Sequence, residues 1–73
     1  MTISDLKRGE HAIIQKYDVD VIPLKLIEMG CLVGNTVSLV QKAPLNDPLY
    51  LNINGTYLAI RKEIATQIEV DII

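Results

Sequence analysis

The side chains best suited to bind a metal ion are His11 and Cys31, and the chain has one residue of each type. A closed zinc or iron site needs three or four convergent histidine, cysteine or carboxylate ligands, and no paired-cysteine or paired-histidine spacing is present to supply them. Asp18 and Asp20 could hold a hard cation weakly, but two carboxylates in a polar segment are more typical of a solvated break before a helix. We therefore predict no metal site and no cofactor.

Nucleophilic catalysis requires a serine, cysteine or threonine beside a base, and His11 is the single imidazole of the chain. A lone histidine in a strand is more typical of a half-exposed polar residue than of a general base. Cys31 follows a glycine that is expected to end a helix, where a cysteine is typically a small packing residue. The glycine-rich motifs that hold phosphate groups are missing. The sequence thus predicts neither an enzyme nor a nucleotide-binding protein.

The composition limits the partners of the chain. Its 73 residues suffice for one small domain, which we expect to span residues 1–73. Nine acidic side chains against seven basic ones give a net charge of -2, so the positive field that attracts nucleic acid or an anionic membrane is missing. A single cysteine excludes an internal disulfide, and no apolar run is long enough to cross a bilayer. These features favour a cytoplasmic protein that binds no nucleic acid.

Hydrophobic periodicity predicts short β-strands with one helix between the first two. Residues 2–9 are interpreted as a lead-in to a first strand over Glu10–Tyr17, in which two adjacent isoleucines indicate either burial on both faces or a β-bulge. The helix begins at Pro23, has apolar residues at helical spacing and ends at Gly30. A second strand follows over Thr36–Lys42. Residues Ala43–Pro48 contain two prolines and predict a surface loop.

The strongest local signal is Asn54-Gly55, which lies between two alternating segments and predicts a two-residue hairpin with a type I′ turn. Pairing Ile53 with Thr56 directs a face of leucine and isoleucine towards the core. The opposite face is expected to display two tyrosines as diagonal neighbours, with an arginine at the end of the strand: Tyr50, Tyr57 and Arg61.

A helical turn over Lys62–Gln67 and an alternating strand over Ile68–Ile72 complete the predicted elements. Five short strands would leave two exposed edges unless the sheet curls onto itself. We therefore predict a mainly β fold: a small, partly open five-stranded barrel with one short α-helix after the first strand and a helical turn before the last. Because the hairpin register puts Arg61 opposite Pro48, an ion pair or hydrogen bond between Asp47 and Arg61 is expected to close the loop.

Four segments together resemble one known family, and they extend over nearly the whole chain. The first is the predicted helix end Leu26–Gly30, with Gly34 four residues further on, and the second is the proline-containing loop Ala43–Pro48. The third is the end of the hairpin with its helical turn, Leu58–Ala65, and the fourth is part of the last strand, Ile68–Val70. In order and spacing they resemble the ferrous iron transport protein A (FeoA) family. The chain departs from the family pattern at Leu24-Lys25, Val33 and Asn46, where the family often has a basic pair, a proline and a glycine.

The resemblance implies an SH3-like β-barrel in the cytoplasm that acts as an accessory of the membrane GTPase that imports ferrous iron. It implies contact with the cytoplasmic GTP-binding domain of that FeoB-type transporter, association with the membrane through that partner only, and no catalysis. The main alternative is an SH3-like regulatory module, since the same domain type accompanies metal-dependent repressors. Chaperoning of ferrous ion and stimulation of the partner GTPase by Arg61 or Lys62 are further alternatives, and an open sheet edge would permit weak self-association.

Two surfaces are candidates for partner binding. The first combines the charges on the helix with two apolar residues of the turn that follows it: Lys25, Glu28, Leu32 and Val33. The second is the tyrosine face of the hairpin with the neighbouring arginine: Tyr50, Tyr57 and Arg61. Packing of the same apolar and aromatic side chains in the core is the competing interpretation.

Overall fold

The computed structural model describes all 73 residues and contains five β-strands, two short α-helices and an initial 3₁₀ turn. The strands are β1 (His11–Lys16), β2 (Thr36–Lys42), β3 (Leu49–Ile53), β4 (Thr56–Ile60) and β5 (Glu69–Ile72). The helices are α1 (Leu24–Glu28) and α2 (Lys62–Ala65), and the 3₁₀ turn spans Ile3–Asp5. The predicted strands, helix and helical turn are confirmed, with small differences in their bounds. None of the helices has the length and apolar composition needed to cross a membrane.

The strands form one antiparallel sheet in the order β4-β3-β2-β1-β5. All five strands contribute side chains to a single hydrophobic cluster, so the sheet curls around its own inner face. The first and last strands of this order, β4 and β5, are not hydrogen-bonded to each other, and the barrel is therefore partly open. The predicted fold class is confirmed. No polar or charged residue is buried in the core.

The hairpin β3–β4 has the predicted turn and register. Both central residues of the turn have a positive φ, 50° at Asn54 and 89° at Gly55, as a type I′ turn requires. All five residue pairs match the expected register, including Ile53 with Thr56. The leucine and isoleucine face is turned inwards, with Leu51 fully buried, and the tyrosine face is exposed.

The two adjacent isoleucines of β1 lie on opposite faces of the sheet, in regular register with β5. Ala12 and Ile14 are buried on the core side, whereas Ile13 between them is half-buried. The pairing of β1 with β5 shifts register between Ile14 and Lys16, which is the signature of a bulge. The bulge follows both isoleucines, so β1 combines the two alternatives that the sequence left open: Ile13 is partly covered on the outer face, and the strand bulges after Ile14.

The lead-in has a structural role that the sequence did not predict. Ile3 and Leu6 are fully buried in the core. The backbone of this segment runs beside β5: the Ile3 amide donates to the Ile68 carbonyl at 3.1 Å, and the Val70 amide donates to the Met1 carbonyl at 2.9 Å. The lead-in therefore covers the outer edge of β5 and fills the core beneath it. Its 3₁₀ turn is too short to show a periodic pattern.

We expect Leu6→Ala to lower the free energy of unfolding by about 2–5 kcal/mol, because it leaves a cavity in the core. The matched control is Leu45→Ala, since Leu45 is 88% exposed; its effect should be within about 0.5 kcal/mol of zero. Urea unfolding followed by circular dichroism measures both. Equal effects of the two substitutions would contradict the assignment of the lead-in to the core.

Candidate functional site

The position of α1 is fixed at both of its ends. Ile22 and Leu26 are buried on one side of it, and Pro23 is the residue that precedes its first turn. Gly30 ends the helix with φ 108°, and its carbonyl accepts a 2.8 Å hydrogen bond from the Asn35 side-chain amide. A Cβ atom at this glycine would lie 3.5 Å from the Cβ of Asn54. The end of α1 therefore packs against the β3–β4 turn, so that α1 runs beside β4.

A groove of about 420 Å³ separates α1 from β4 and α2. We call it the α1 groove, and it is lined by nine residues: Pro23, Lys25, Leu26, Met29, Leu58, Ala59, Ile60, Arg61 and Ile64. Leu26 and Ile60 are buried at its base, and Leu58 is half-buried. Two of the lining residues are charged, Lys25 and Arg61, and both are cations. The α1 groove is thus an apolar depression with positive charge at its surface.

A second groove, of about 370 Å³, lies on the opposite face of β4. We call it the tyrosine groove, and all six of its lining residues are apolar or aromatic: Val40, Tyr50, Leu51, Tyr57, Leu58 and Ala59. Leu58 and Ala59 line both grooves. The strand β4 is therefore the boundary between two neighbouring grooves.

The outer edge of β4 has unpaired backbone groups. β4 is the end strand of the sheet and pairs with β3 alone. In a hairpin with a two-residue turn the flanking pair, here Ile53 and Thr56, is hydrogen-bonded, and the hydrogen-bonded pairs then alternate along the ladder. The N–H and C=O groups of Tyr57 and Ala59 accordingly point away from β3. The Arg61 amide also donates to no other group of the chain.

The structure brings together two cations that the sequence had placed on different surfaces. Lys25 was predicted on the first candidate surface, that of the helix and its following turn, and Arg61 on the second, that of the hairpin tyrosines. Both residues line the α1 groove. The other members of the helix surface, Glu28, Leu32 and Val33, line neither groove.

The apolar residues of both predicted surfaces are exposed, so the interpretation that they pack in the core is wrong. Leu32 is 46% and Val33 is 62% exposed in the turn after α1. Tyr50 is 42% and Tyr57 is 74% exposed, and both line the tyrosine groove as neighbours.

Sequence reasoning missed the contributions of Val40 and Ile64 to the grooves. Val40 is exposed because strand alternation turns it to the face opposite the buried Val37 and Leu39. The inward assignment of Val37 and Leu39 is the signal that would have placed Val40 on the outer face, beside the tyrosines. No local signal places Ile64 opposite α1, because that proximity is created by the folding of distant segments.

Asp47 closes the loop before β3, as predicted, but its shortest contact is to a backbone amide. Its Oδ1 accepts a 3.0 Å hydrogen bond from the Lys62 amide at the start of α2. Its Oδ2 lies 3.9 Å from Nη1 of Arg61, whose side chain is 72% exposed. The guanidinium is therefore held loosely and remains accessible at the rim of the α1 groove.

His11 and Cys31 do not come together with other ligands, since no group of three or more histidine, cysteine, aspartate or glutamate side chains could hold a metal ion. Burial raises the pKa of the Cys31 thiol to about 11. The Tyr17 hydroxyl donates a 2.7 Å hydrogen bond to the Cys31 carbonyl, and burial also raises the pKa of that tyrosine. Asp18 accepts a hydrogen bond from the Asp20 amide at 2.9 Å, which gives this pair a local structural role in the turn before α1.

Comparison with known proteins gives consistent matches over the whole chain. Residues 1–72 match the family model of the FeoA domain. The chain is 38% identical over 74 residues to an Fe(2+) transport protein A/Fe(2+) transporter FeoB fusion protein of Porphyromonas gingivalis (strain ATCC BAA-308 / W83). This match covers 100% of the chain and 9% of the fusion protein, so the chain spans a small part of that relative.

Two solved structures are close in both sequence and shape. The solution structure of iron(II) transport protein A from Clostridium thermocellum is 36% identical, with a TM-score of 0.90 over 100% of this chain and 46% of that one. The crystal structure of Stenotrophomonas maltophilia FeoA complexed with zinc, a prokaryotic SH3 domain protein, is 32% identical, with a TM-score of 0.80 over 97% of this chain and 89% of that one. The expected SH3-like architecture is therefore confirmed.

The two contacts of Asp47 can be separated by substitution. We expect Asp47→Ala to lower the free energy of unfolding by about 1 kcal/mol, because the Lys62 amide loses its acceptor. Arg61→Ala should cost less than about 0.5 kcal/mol, since an exposed ion pair contributes little. Urea unfolding measures both variants. Equal losses for Arg61→Ala and Asp47→Ala would show that the ion pair, and not the backbone hydrogen bond, closes the loop, because Asp47→Ala removes both contacts.

The buried Cys31 should react slowly with thiol reagents. With its pKa raised to about 11, the thiolate fraction at pH 8 is about 100-fold lower than for a thiol with the ordinary value of 9.0. We therefore expect labelling by Ellman's reagent at pH 8 to be at least about 100-fold slower in the native protein than in the same protein in denaturing urea. Equal rates in the two states would contradict the packing role of this cysteine.

Proposed function

The chain belongs to the FeoA family, and from this premise we propose that it is a cytoplasmic accessory protein of ferrous iron uptake that binds the GTP-binding domain of a FeoB-type transporter. Membership of the family relates the chain to ferrous iron transport. The proposed role is exerted by protein–protein contact, and no step of it requires a catalytic group of the chain. Contact with the membrane is made through the transporter.

The fusion protein of Porphyromonas gingivalis is the observation that carries this proposal. There a segment similar to the whole of this chain forms one polypeptide with an Fe(2+) transporter FeoB. Linking two modules makes their contact intramolecular and raises the effective concentration of each for the other, to the millimolar range for short flexible linkers. The covalent link in the fusion protein supports the proposal that a FeoA-type chain and a FeoB-type transporter also bind each other when they are separate polypeptides.

The surface around β4 supports a role in protein binding. Two grooves with largely apolar linings lie side by side there, and Tyr57 at their boundary is 74% exposed. Exposed apolar surface flanked by charged residues is typical of interaction sites, and tyrosine and arginine are enriched among the residues that contribute most to binding. We assign the contact to this side of the molecule, with Tyr50, Tyr57, Lys25 and Arg61 as its main residues. The turn with Leu32 and Val33 is the second candidate surface.

We expect an NMR titration to show chemical-shift changes confined to β4 and its two grooves. The full ¹⁵N-labelled chain is mixed with the purified GTP-binding domain of the FeoB-type transporter from the same genome, without nucleotide, with GDP and with a GTP analogue. The double substitution Tyr50→Ala with Tyr57→Ala should weaken binding about tenfold or more, because it removes both aromatic side chains from the interface.

Two surface variants serve as comparisons in the same titration. Val19→Asp is the control, because Val19 is 65% exposed and lines neither groove, and it should leave the affinity unchanged. Leu32→Asp tests the second surface; a loss of binding in this variant alone would move the contact to the turn. An absence of shifts in every nucleotide state at near-millimolar partner would overturn the proposed function.

A further inference from the structure

We propose that the open edge of β4 accepts an extended, acidic segment of a partner protein as an additional β-strand. This inference rests on the proposed function and deepens it, because it states the chemistry of the segment that the partner supplies. Three features carry it: the unpaired backbone of β4, the grooves on both faces of that strand, and the sign of the charge beside it.

The backbone of β4 offers hydrogen bonds to one more strand. The outward N–H and C=O groups of Tyr57 and Ala59, and the unbonded amide of Arg61, form a row along an exposed edge. An unpaired edge of this kind is a template for another strand, and peptide recognition by strand addition obtains its affinity from such main-chain bonds. The other end of the sheet differs, because the lead-in bridges to β5 through Thr2 and Glu69 and occupies that edge.

The two grooves match the alternation of an added strand. Successive side chains of a strand point to opposite faces, so one set would enter the α1 groove and the other the tyrosine groove. Among the β4 residues, Ile60 lines only the α1 groove and Tyr57 only the tyrosine groove, and these two side chains point to opposite faces of the strand. A segment whose side chains alternate in chemical character from one residue to the next therefore meets a different environment on each face.

The charges define which side chains fit the α1 groove. Lys25 and Arg61 are its charged residues, and no carboxylate lines either groove, although the chain as a whole has a net charge of -2. Lys25 makes no ion pair, and the one ion pair of Arg61 is long, at 3.9 Å. Carboxylates on the groove side of the added strand would pair with these cations, while aliphatic side chains on the other side would cover the tyrosines. The segment is thus alternately acidic and aliphatic.

A second copy of the chain is a poorer occupant of the same edge. Antiparallel pairing of two β4 strands would put Arg61 of each copy beside the Thr56 end of the other, where the second copy offers no carboxylate to the groove cations. The residues that such a copy would direct towards the α1 groove, Thr56, Leu58 and Ile60, include no carboxylate. Charge complementarity therefore favours a partner segment over self-association.

The test uses the full ¹⁵N-labelled chain and the hexapeptide acetyl-EVEVEV-amide. We expect chemical-shift changes and slowed amide exchange at Tyr57, Ala59 and Arg61, because these groups become hydrogen-bonded. The charge-reversed peptide acetyl-KVKVKV-amide should bind about tenfold more weakly or worse. The same acidic peptide with N-methylated valines should give no protection, because in an antiparallel added strand its valines are the residues whose amides face β4.

A pair of charge-reversal variants tests the role of the groove cations. Lys25→Glu should weaken binding of the acidic peptide at least about fivefold. Lys16→Glu changes the net charge equally, at an exposed position of β1 outside both grooves, and should leave binding within twofold. Equal effects of the two variants would show that the net charge, and not the α1 groove, controls binding.

The remaining outcomes decide between the inference and the proposed function. Equal binding of the acidic and basic peptides, or shifts away from β4, would overturn strand addition. Concentration-dependent protection of the β4 amides without peptide would also overturn it, since a second copy would then occupy the edge. Binding of the FeoB domain without protection of these amides would support the accessory role and overturn strand addition. Peptide binding at β4 without any binding of the FeoB domain would support strand addition and overturn the proposed partner.

Discussion

The structure depends on whether each of the two edge strands of a short, open sheet, β4 and β5, is covered by another segment of the chain. Five strands of four to seven residues cannot leave their inner faces in water, so the sheet curls around one core of aliphatic side chains. The curled sheet still has two edges. The lead-in covers the edge of β5 with backbone hydrogen bonds and places Ile3 and Leu6 in the core. The edge of β4 has no such cover, and the two grooves and the unpaired amides beside it follow from this difference.

The positive charge beside the open edge of β4 remains accessible because the Asp47 carboxylate binds the Lys62 amide more closely than the Arg61 guanidinium. The core contains no polar or charged residue, so every charge lies at the surface and its placement is not constrained by packing. The Asp47 carboxylate accepts a 3.0 Å hydrogen bond from the Lys62 amide and makes only a 3.9 Å contact with Arg61. The arginine thereby stays accessible at the rim of the α1 groove, where Lys25 reaches the same space from α1. A chain with a net charge of -2 thus has a locally positive groove.

The two residues that the sequence offered as metal ligands, His11 and Cys31, do not form a common site. His11 lies in β1 and is exposed, whereas Cys31 is buried with a raised pKa, so the two candidate ligands of the sequence lie in unlike environments. The accessory role that we propose for this member of the FeoA family is exerted by contact. The features of β4 supply the elements of such a contact: hydrogen-bonding groups, aromatic surface and positive charge. Each is a common part of strand-addition and protein–protein interfaces.

The sequence by itself determined the features that depend on neighbours along the chain. The Asn54-Gly55 turn and the register of β3 with β4 were predictable because both central residues of a type I′ turn need positive φ, and the end of α1 at Gly30 because glycine adopts that conformation readily. Exposure of Tyr50 and Tyr57 followed from the same register. The tertiary structure decided the burial of the lead-in, the proximity of Ile64 to α1, and the meeting of Lys25 with Arg61 in one groove. These features arise from the packing of segments far apart in the chain, and short-range periodicity and turn chemistry contain no information about which distant segments meet.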